Sequence, residues 1–342
     1  MLRALGRRAP DLRVQIRSAA PVRLFLAAMP IPLEIARRVN DVGVVQSDGL
    51  TLDGGATLRR YAEFSKGREA IIDAEAESIR RDRVDLIFGD IPPLASAVGG
   101  RAGVPSVAMG NFDWEWIYGE WAGEAPEAAH VIDSIREDYA ATDLLLRLPF
   151  HDEMRAFPRQ EDVPLVGRRA ALDRDEARRR AGIPEKVRAV LLSFGGMGLG
   201  EADLRRLARD RDHHYVTVGA TKVVGGTHLE EWELQARGLL YEDLVGAVDV
   251  VVTKPGYGIV SECAVNRCAM LYTRRGTFRE YPILVEEMQD YFPAEYVDPD
   301  DLRKGELLEP LRRLAARPWP ESPPPIDGAE AVAARVLEML ER

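Results

Sequence analysis

Short runs of consecutive apolar residues recur along the chain, and between them lie longer stretches in which apolar positions return every three or four residues. The runs suit strands buried on both faces and the longer stretches suit amphipathic helices, so their alternation predicts an α/β chain wound around parallel sheets. Runs over 12–16, 42–46, 84–88, 104–108 and 143–146 form a first set, mostly separated by helical stretches over 57–81, 91–101 and 126–141. A second set covers 187–193, 214–218, 248–252 and 269–272, with helices around Leu204, Leu244, Ser261 and Val285. Between the sets, 149–167 carries prolines and charges without a period and predicts an interdomain linker. That leaves a first domain over 1–148 and a second over 168–342. Residues 309–317 and 328–342 predict closing helices on either side of the proline-rich stretch 318–325.

At 342 residues the chain is too long for one ordinary core, in keeping with two domains. Its formal net charge of −10 argues against nucleic acid as a main partner, because neutralising a phosphate backbone needs a basic face. Arg178, Arg179 and Arg180 stand among Asp and Glu on a helical stretch and predict a solvated charged face. No apolar run reaches the roughly 18 residues of a membrane span, so no transmembrane segment is expected, while peripheral contact with a membrane stays open. Cys263 and Cys268 have no companion at zinc-ligand spacing; they predict buried thiols in a reducing, cytoplasmic setting and no metal site.

Two glycine turns add chemistry to this frame. In TKPGYGIVSECA, residues 253–264, an apolar run leads into a helix through Gly256 and Gly258. Glycine there lets a ligand approach the backbone, and the helix beginning near Tyr257 offers its N–H groups and partial positive charge to an anion. Lys254 adds a full charge, and Ser261 and Glu262 stand one turn on, within reach of a sugar ring. The plain alternative is a helix entered through a Pro-Gly turn with no ligand. In VRAVLLSFGGMGLGEADLRRLA a second run ends at Ser193, and Gly195, Gly196, Gly198 and Gly200 precede a helix with Leu204 and Leu207. Both turns fall at the carboxyl ends of expected parallel strands, where open α/β sheets hold ligands. The string lacks the Gly-Lys-Ser/Thr of an ATP-type loop and the acidic residue of a dinucleotide fingerprint, so a nucleoside diphosphate held between the two turns fits better.

The segment GLLYEDLVGAVDVVVTKPGYGIVSECAVNRCAMLYTRRGTFREYPILVEEMQDY is similar to the donor half of GT-B glycosyltransferases, notably the peptidoglycan GlcNAc transferase type. NFDWEWIYGEW (111–121), LLRLPFHDEMRAFPRQEDVPLVGRRA, LLSFGGMG and KPGYGIVSE together resemble the glycosyltransferase-like N-terminal region of plant-type L-arabinokinase and its stand-alone bacterial relatives, over nearly the whole chain. No GHMP-kinase half follows in this sequence, and the resemblance carries no sugar-kinase activity over. It implies two Rossmann-like domains facing across a cleft, no metal or cofactor, and a nucleotide-sugar co-substrate, a UDP-sugar. Residue by residue it implies that Gly195, Gly196, Lys254, Gly256, Tyr257, Gly258 and Ser261 hold the diphosphate. Glu262 would take the ribose, Leu239 and Leu240 the base, and Arg274, Arg275 and Glu280 the donor sugar. For Glu262 the alternative is a first-turn carboxylate that stabilises its own helix. Loop 275–280 departs from the acidic and glutamine strings of many relatives, which leaves the sugar open.

The start of the chain departs as well. Residues 1–9 have the pattern of a helix end followed directly by the strand 12–16, and the family's first strand with its glycine-histidine turn has no counterpart; none of His130, His151, His213, His214 and His228 falls there. The expectation is a start site upstream of Met1 and a first domain truncated at its beginning. On the acceptor side, Asp90 directly follows the run 84–88 and is a candidate general base for an inverting attack, or a cap for the helix begun by Pro92 and Pro93. Asn111, Asp113, Trp114 and Trp116 form a polar and aromatic cluster suited to stacking on an acceptor sugar, though aromatics at this density also suit core packing. The expected function is metal-independent glycosyl transfer to an unknown acceptor. Its alternatives are a non-catalytic module that binds a sugar nucleotide and an enzyme of the UDP-GlcNAc epimerase type.

Overall fold

The computed structural model describes residues 1–22, 25, 31–46, 52–194, 202–219, 221–276 and 278–341. The chain divides into two units: Met1–Val166 with Thr277–Glu280 and Asp327–Arg342, and Gly167–Gly276 with Tyr281–Ile326. In the first unit, strands β1 (Val14–Ser18) and β2 (Leu33–Arg37) pair in parallel as a sheet of their own. Strands β3 (Ile87–Gly89), β4 (Ser106–Gly110), β5 (Leu144–Arg147) and β6 (Gln160–Asp162) form a parallel sheet in that order.

The two faces of β4 and β5 serve two cores. Ala108 and Leu145 pack with Tyr118, Tyr139 and Ile91, while Val107, Leu144 and Leu146 pack against Leu5, Val332 and Val336. Strands covered on both faces need apolar residues at successive positions, which is why these runs lack alternation. The second face is closed by the helices Leu2–Arg8 and Gly328–Leu340, tied by Arg7 Nη2 and Arg8 Nε to Glu330 at 2.6 and 3.0 Å. Gly328 starts the closing helix against the chain, since a Cβ there would lie 2.0 Å from the Pro164 carbonyl oxygen.

Several expected elements differ. Residues 42–46 form no strand; the strand is Leu33–Arg37. Val42 and Val44 instead pack against the aromatic core from an irregular segment, and its polar groups are satisfied by Tyr118 Oη on Gly43 O at 2.7 Å and by Val45 N on Thr57 Oγ1 at 3.0 Å. The helical stretch 57–81 is two helices, Gly54–Ser65 and Arg68–Asp82. Within 149–166, Phe150, Met154, Phe157 and Leu165 are buried in the first unit and β6 joins its sheet. Phe150 and Met154 have φ of 67° and 46°, so the chain folds back at positions that no regular period reveals.

The second unit holds strands β7 (Arg188–Ser193), β8 (His213–Val218), β9 (Thr227–Leu229), β10 (Val250–Thr253), β11 (Ala269–Tyr272) and β12 (Ala294–Tyr296). They lie in the order β12-β11-β10-β7-β8-β9, all parallel, so the direction of winding reverses between β7 and β10. One expectation is corrected here. Arg178 is not on a solvated face but 4% exposed, with Nε on Ala247 O at 2.8 Å and Nη2 on Asp249 Oδ2 at 3.0 Å, because it closes the carbonyls at the start of the sheet. Arg179 and Arg180 do pair outside with Glu176. Cys263 and Cys268 are buried free thiols. Among the described residues no helix is long and apolar enough to cross a membrane.

Candidate functional site

In the second unit the site grows from the strand order. Register places Thr253, the last residue of β10, opposite Ser193, the last residue of β7. The turns that follow these strands therefore start side by side at the carboxyl edge where winding reverses, the position at which open α/β sheets leave a crevice for ligands. Gly195 and Gly196 lie outside the described residues. On the β10 side the helix Tyr257–Val265 begins at Gly256, whose backbone is extended and whose helix end carries no side-chain cap. A Cβ on Gly256 would stand 3.4 Å from the Arg275 guanidinium, and one on Gly258 would meet open space. A helix N-terminus and a cation thus face the same small volume, with partly exposed Lys254 beside it.

Around this turn, Ser261 and Glu262 are 7% and 2% exposed. Arg168 Nε donates to Glu262 Oε1 at 2.6 Å, and Arg168 Nη1 lies 3.8 Å from Glu242 Oε2. Burial, with the Glu242 charge adding to it, raises the Glu262 pKa, while Arg168 works against both. The Ser193 and Tyr241 hydroxyls share a hydrogen bond. Leu239 is buried, and Leu240 N donates to Asp243 Oδ2 at 2.8 Å, so this turn is fixed by its own helix. Exposed Arg274 is tied to Tyr296. Buried Glu280 belongs to the first unit, as does Arg279, whose guanidinium sits 4.6 Å over the Trp116 ring.

In the first unit, Asp90 follows β3 and leads into a turn whose next residue, Ile91, has φ 49°. A β-branched residue there is strained by about 1–3 kcal/mol and persists only where its surroundings hold it. They do: the Ile91 side chain is buried in the aromatic core, Tyr139 Oη donates to Ile91 O at 2.7 Å, and a Cβ on neighbouring Gly110 would come within 2.4 Å of Ile91 Cγ2. Asp90 does not cap the following helix, which starts at Pro93 after Pro92 with no side-chain cap. The Asp90 side chain is exposed, and it is the protein crowded around it, then the Asp41 charge, that raises its pKa. Burial also raises the Asp41 pKa, and the nearby Trp114 side chain opposes the rise in part.

The aromatic cluster divides. Trp114 is 9% exposed, packed 5.1 Å from Phe112 and 5.2 Å from Tyr118 between ring centres, and serves as core. Trp116 keeps a partly exposed face under Arg279. Asn111 Nδ2 donates to Pro149 O. Asp113 caps the helix Trp114–Gly119 through Oδ1 and Trp116 N at 2.7 Å, and burial pushes its pKa up to about 7. No local pattern marks Ile91, Tyr139 or Arg168, whose contacts are long-range, whereas Asp41 stands just ahead of Gly43 in a polar, turn-like string that could have been singled out. Among the described residues no three of His, Cys, Asp and Glu stand together as a metal site.

No protein-family model matches the chain. It is similar to L-arabinokinase of Arabidopsis thaliana, 31% identical over 329 residues that make up 95% of this chain and 31% of that protein. The chain thus spans about a third of that relative's length. It is also 23% identical to an uncharacterized glycosyltransferase of Methanopyrus kandleri, over 75% of this chain and 76% of that one. Among solved structures, the glycosyltransferase VinC in complex with dTDP is similar with a TM-score of 0.57 and 14% identity, covering 96% of this chain and 95% of that one. A UGT transferase from Siraitia grosvenorii in complex with UDP is similar with a TM-score of 0.54 and 12% identity, covering 98% and 90%. Together with the strand order, these likenesses show that the chain has the GT-B glycosyltransferase fold of two Rossmann-like domains.

Proposed function

We propose that the chain binds a nucleoside-diphosphate sugar, a UDP-sugar, in its second unit and transfers the sugar to an acceptor with inversion and without a metal, as a cytoplasmic enzyme. The observation that carries this is the uncapped helix N-terminus at Gly256, with Arg275 beside it, standing where the strand order reverses. Helix end, Arg275 and Lys254 neutralise the leaving diphosphate, the task a metal performs elsewhere, together with Gly195, Gly196, Tyr257, Gly258 and Ser261. Glu262 accepts from the ribose hydroxyls, Leu239 and Leu240 border the base, and Arg274 and Glu280 serve the donor sugar.

Asp90 takes the proton from an acceptor hydroxyl as that oxygen bonds to the anomeric carbon, and the bond from that carbon to the diphosphate breaks with its electrons going to phosphate. A carboxylate whose pKa is raised is the better base, and the fixed turn at Ile91 holds its direction. Asn111, Asp113 and the open face of Trp116 border the acceptor. The relative bound to UDP and the one bound to dTDP support a pyrimidine nucleotide. The test is a thermal-shift panel of UDP, GDP, dTDP and ADP, with and without a chelator. Stabilisation by UDP at 100 times its Kd amounts to about 2.7 kcal/mol and should survive chelation. A well-folded chain that responds to none of the four removes the proposal.

A further inference from the structure

The carboxylate proposed for the ribose, Glu262, is held by Arg168, 94 positions away along the chain. Glu242 and Glu262 side chains are each 3% exposed, and one guanidinium, Arg168, stands between them. Both Arg168 nitrogens that reach Glu262, Nε and Nη2, converge on Oε1. Among the described residues no donor is seen on Oε2.

Arg168 is fixed by its own backbone. Asn266 Nδ2 donates to Arg168 O at 2.9 Å and Asn266 Oδ1 accepts from Ala170 N at 2.8 Å. Asp243 Oδ1 accepts from Ala171 N at 2.7 Å. At Gly167 the segment passes so close to the helix Tyr257–Val265 that a Cβ would lie 2.7 Å from Ser261 O. The strap 167–171 is therefore laced to the two helices that border the proposed nucleoside site; of its two guanidinium groups, that of Arg169 donates to Val265 O at 3.1 Å and that of Arg168 lies against both buried carboxylates.

We infer that Arg168 is a positioning residue for nucleotide recognition: it keeps Glu262 ionised and commits Oε1, so that Oε2 is the oxygen presented to the ribose hydroxyls. The inference rests on the proposed donor site. Its physical basis is that an uncompensated buried carboxylate takes up a proton rather than stay charged. A protonated Glu262 loses the charge that makes its hydrogen bonds to hydroxyls strong. The groups facing Glu262 are Arg168, Glu242, Tyr241 and Cys263; of these Arg168 alone is cationic, and the Glu242 charge opposes it. Removing Arg168 leaves burial and Glu242, both of which raise the Glu262 pKa. UDP binding in the variant should accordingly fail at a higher pH than in the parent as pH is lowered.

The experiment is calorimetric titration of the full chain, Arg168→Gln and Arg168→Lys with UDP, 2′,3′-dideoxy-UDP and pyrophosphate, between about pH 5.5 and about pH 8.5 to span a raised carboxylate pKa. Arg168→Gln is expected to weaken UDP about tenfold near neutrality. It should leave pyrophosphate unchanged, erase the preference for UDP over the dideoxy analogue, and move the acid limb of UDP binding upward. Arg168→Lys should restore part of the preference. An Arg168→Gln chain of parental melting temperature with parental UDP affinity, sugar preference and acid limb would overturn the inference while leaving the donor site standing. Equal losses for UDP, the dideoxy analogue and pyrophosphate would also overturn it, since they mark damage to the strap alone. If the parent chain binds none of the three ligands, it is the proposed function that fails.

Discussion

At the end of β10 the chain enters its helix through Gly256, in relaxed extended backbone, and the missing side chain leaves open the space between the helix end and the Arg275 guanidinium, which a Cβ would touch at 3.4 Å. At the end of β3 it turns through Ile91, a β-branched residue at φ 49°, and the position is held by a buried side chain and the Tyr139 hydroxyl. The first turn makes room and the second fixes a direction. Room is obtained by omitting atoms, which glycine does without strain. Direction, for a carboxylate such as Asp90 in its proposed role as base, is obtained by over-determining the backbone with core packing.

Changing Asp90 removes chemistry and spares binding. Asp90→Asn should lower kcat about a thousandfold, the usual scale for losing a general base, and leave UDP affinity unchanged. A variant that loses both alike would place Asp90 in binding instead. Gly256→Asp should do the reverse. It fills the volume beside Arg275 with a carboxylate that repels diphosphate, so UDP affinity should fall more than about a hundredfold. Gly256 precedes the first helical residue, where aspartate is a favoured cap, so the melting temperature should hold or rise. A melting temperature several degrees lower would mean that the turn is a packing feature rather than a binding one.

Tyr139→Phe tests the second turn by leaving Ile91 O without its donor. We expect a loss of about 1–2 kcal/mol in unfolding free energy and a slower transfer step at unchanged UDP affinity. Unchanged stability and rate would show that Ile91 is held by packing alone. The smallest effect concerns Asp113, whose folded-state pKa of about 7 exceeds the ordinary value of 3.8. Between those values the folded chain binds more protons than the unfolded one, so this group lowers stability as pH rises through them, and the loss is complete above the folded pKa. Asp113→Asn keeps an acceptor for Trp116 N and should stabilise the protein by about 1–2 kcal/mol above about pH 7, with little gain near about pH 4. Urea unfolding at the two pH values reads this directly, and an equal gain at both would contradict it.

The contrast between the turns also explains what the sequence disclosed. Strand runs such as 187–193, 248–252 and 269–272 lie within about two residues of the observed strands, because burial on both faces writes a continuous apolar string. The Pro-Gly turn before Tyr257 was legible for the same reason: glycine declares itself. Ile91 looks like any core isoleucine until its φ is known, and Arg168 meets Glu262 across 94 positions of chain, which no local pattern records. Segment 42–46 misled because Val42 and Val44 are buried without a ladder, while the anchors at Phe150, Met154 and Phe157 follow backbone reversals rather than a period. Trp114 and Trp116 are two residues apart in one aromatic string, yet one is core and the other keeps an open face.

The central claim is that the reversal in strand order between β7 and β10 holds a nucleoside diphosphate against the helix beginning at Tyr257. Isothermal titration of UDP into the full chain and into Gly256→Asp, both in chelator, tests it most directly. Saturable one-to-one binding by the parent and none by an equally well-folded Gly256→Asp chain is the expected result. Equal binding by both chains would contradict it, because the diphosphate would then lie somewhere other than this helix end.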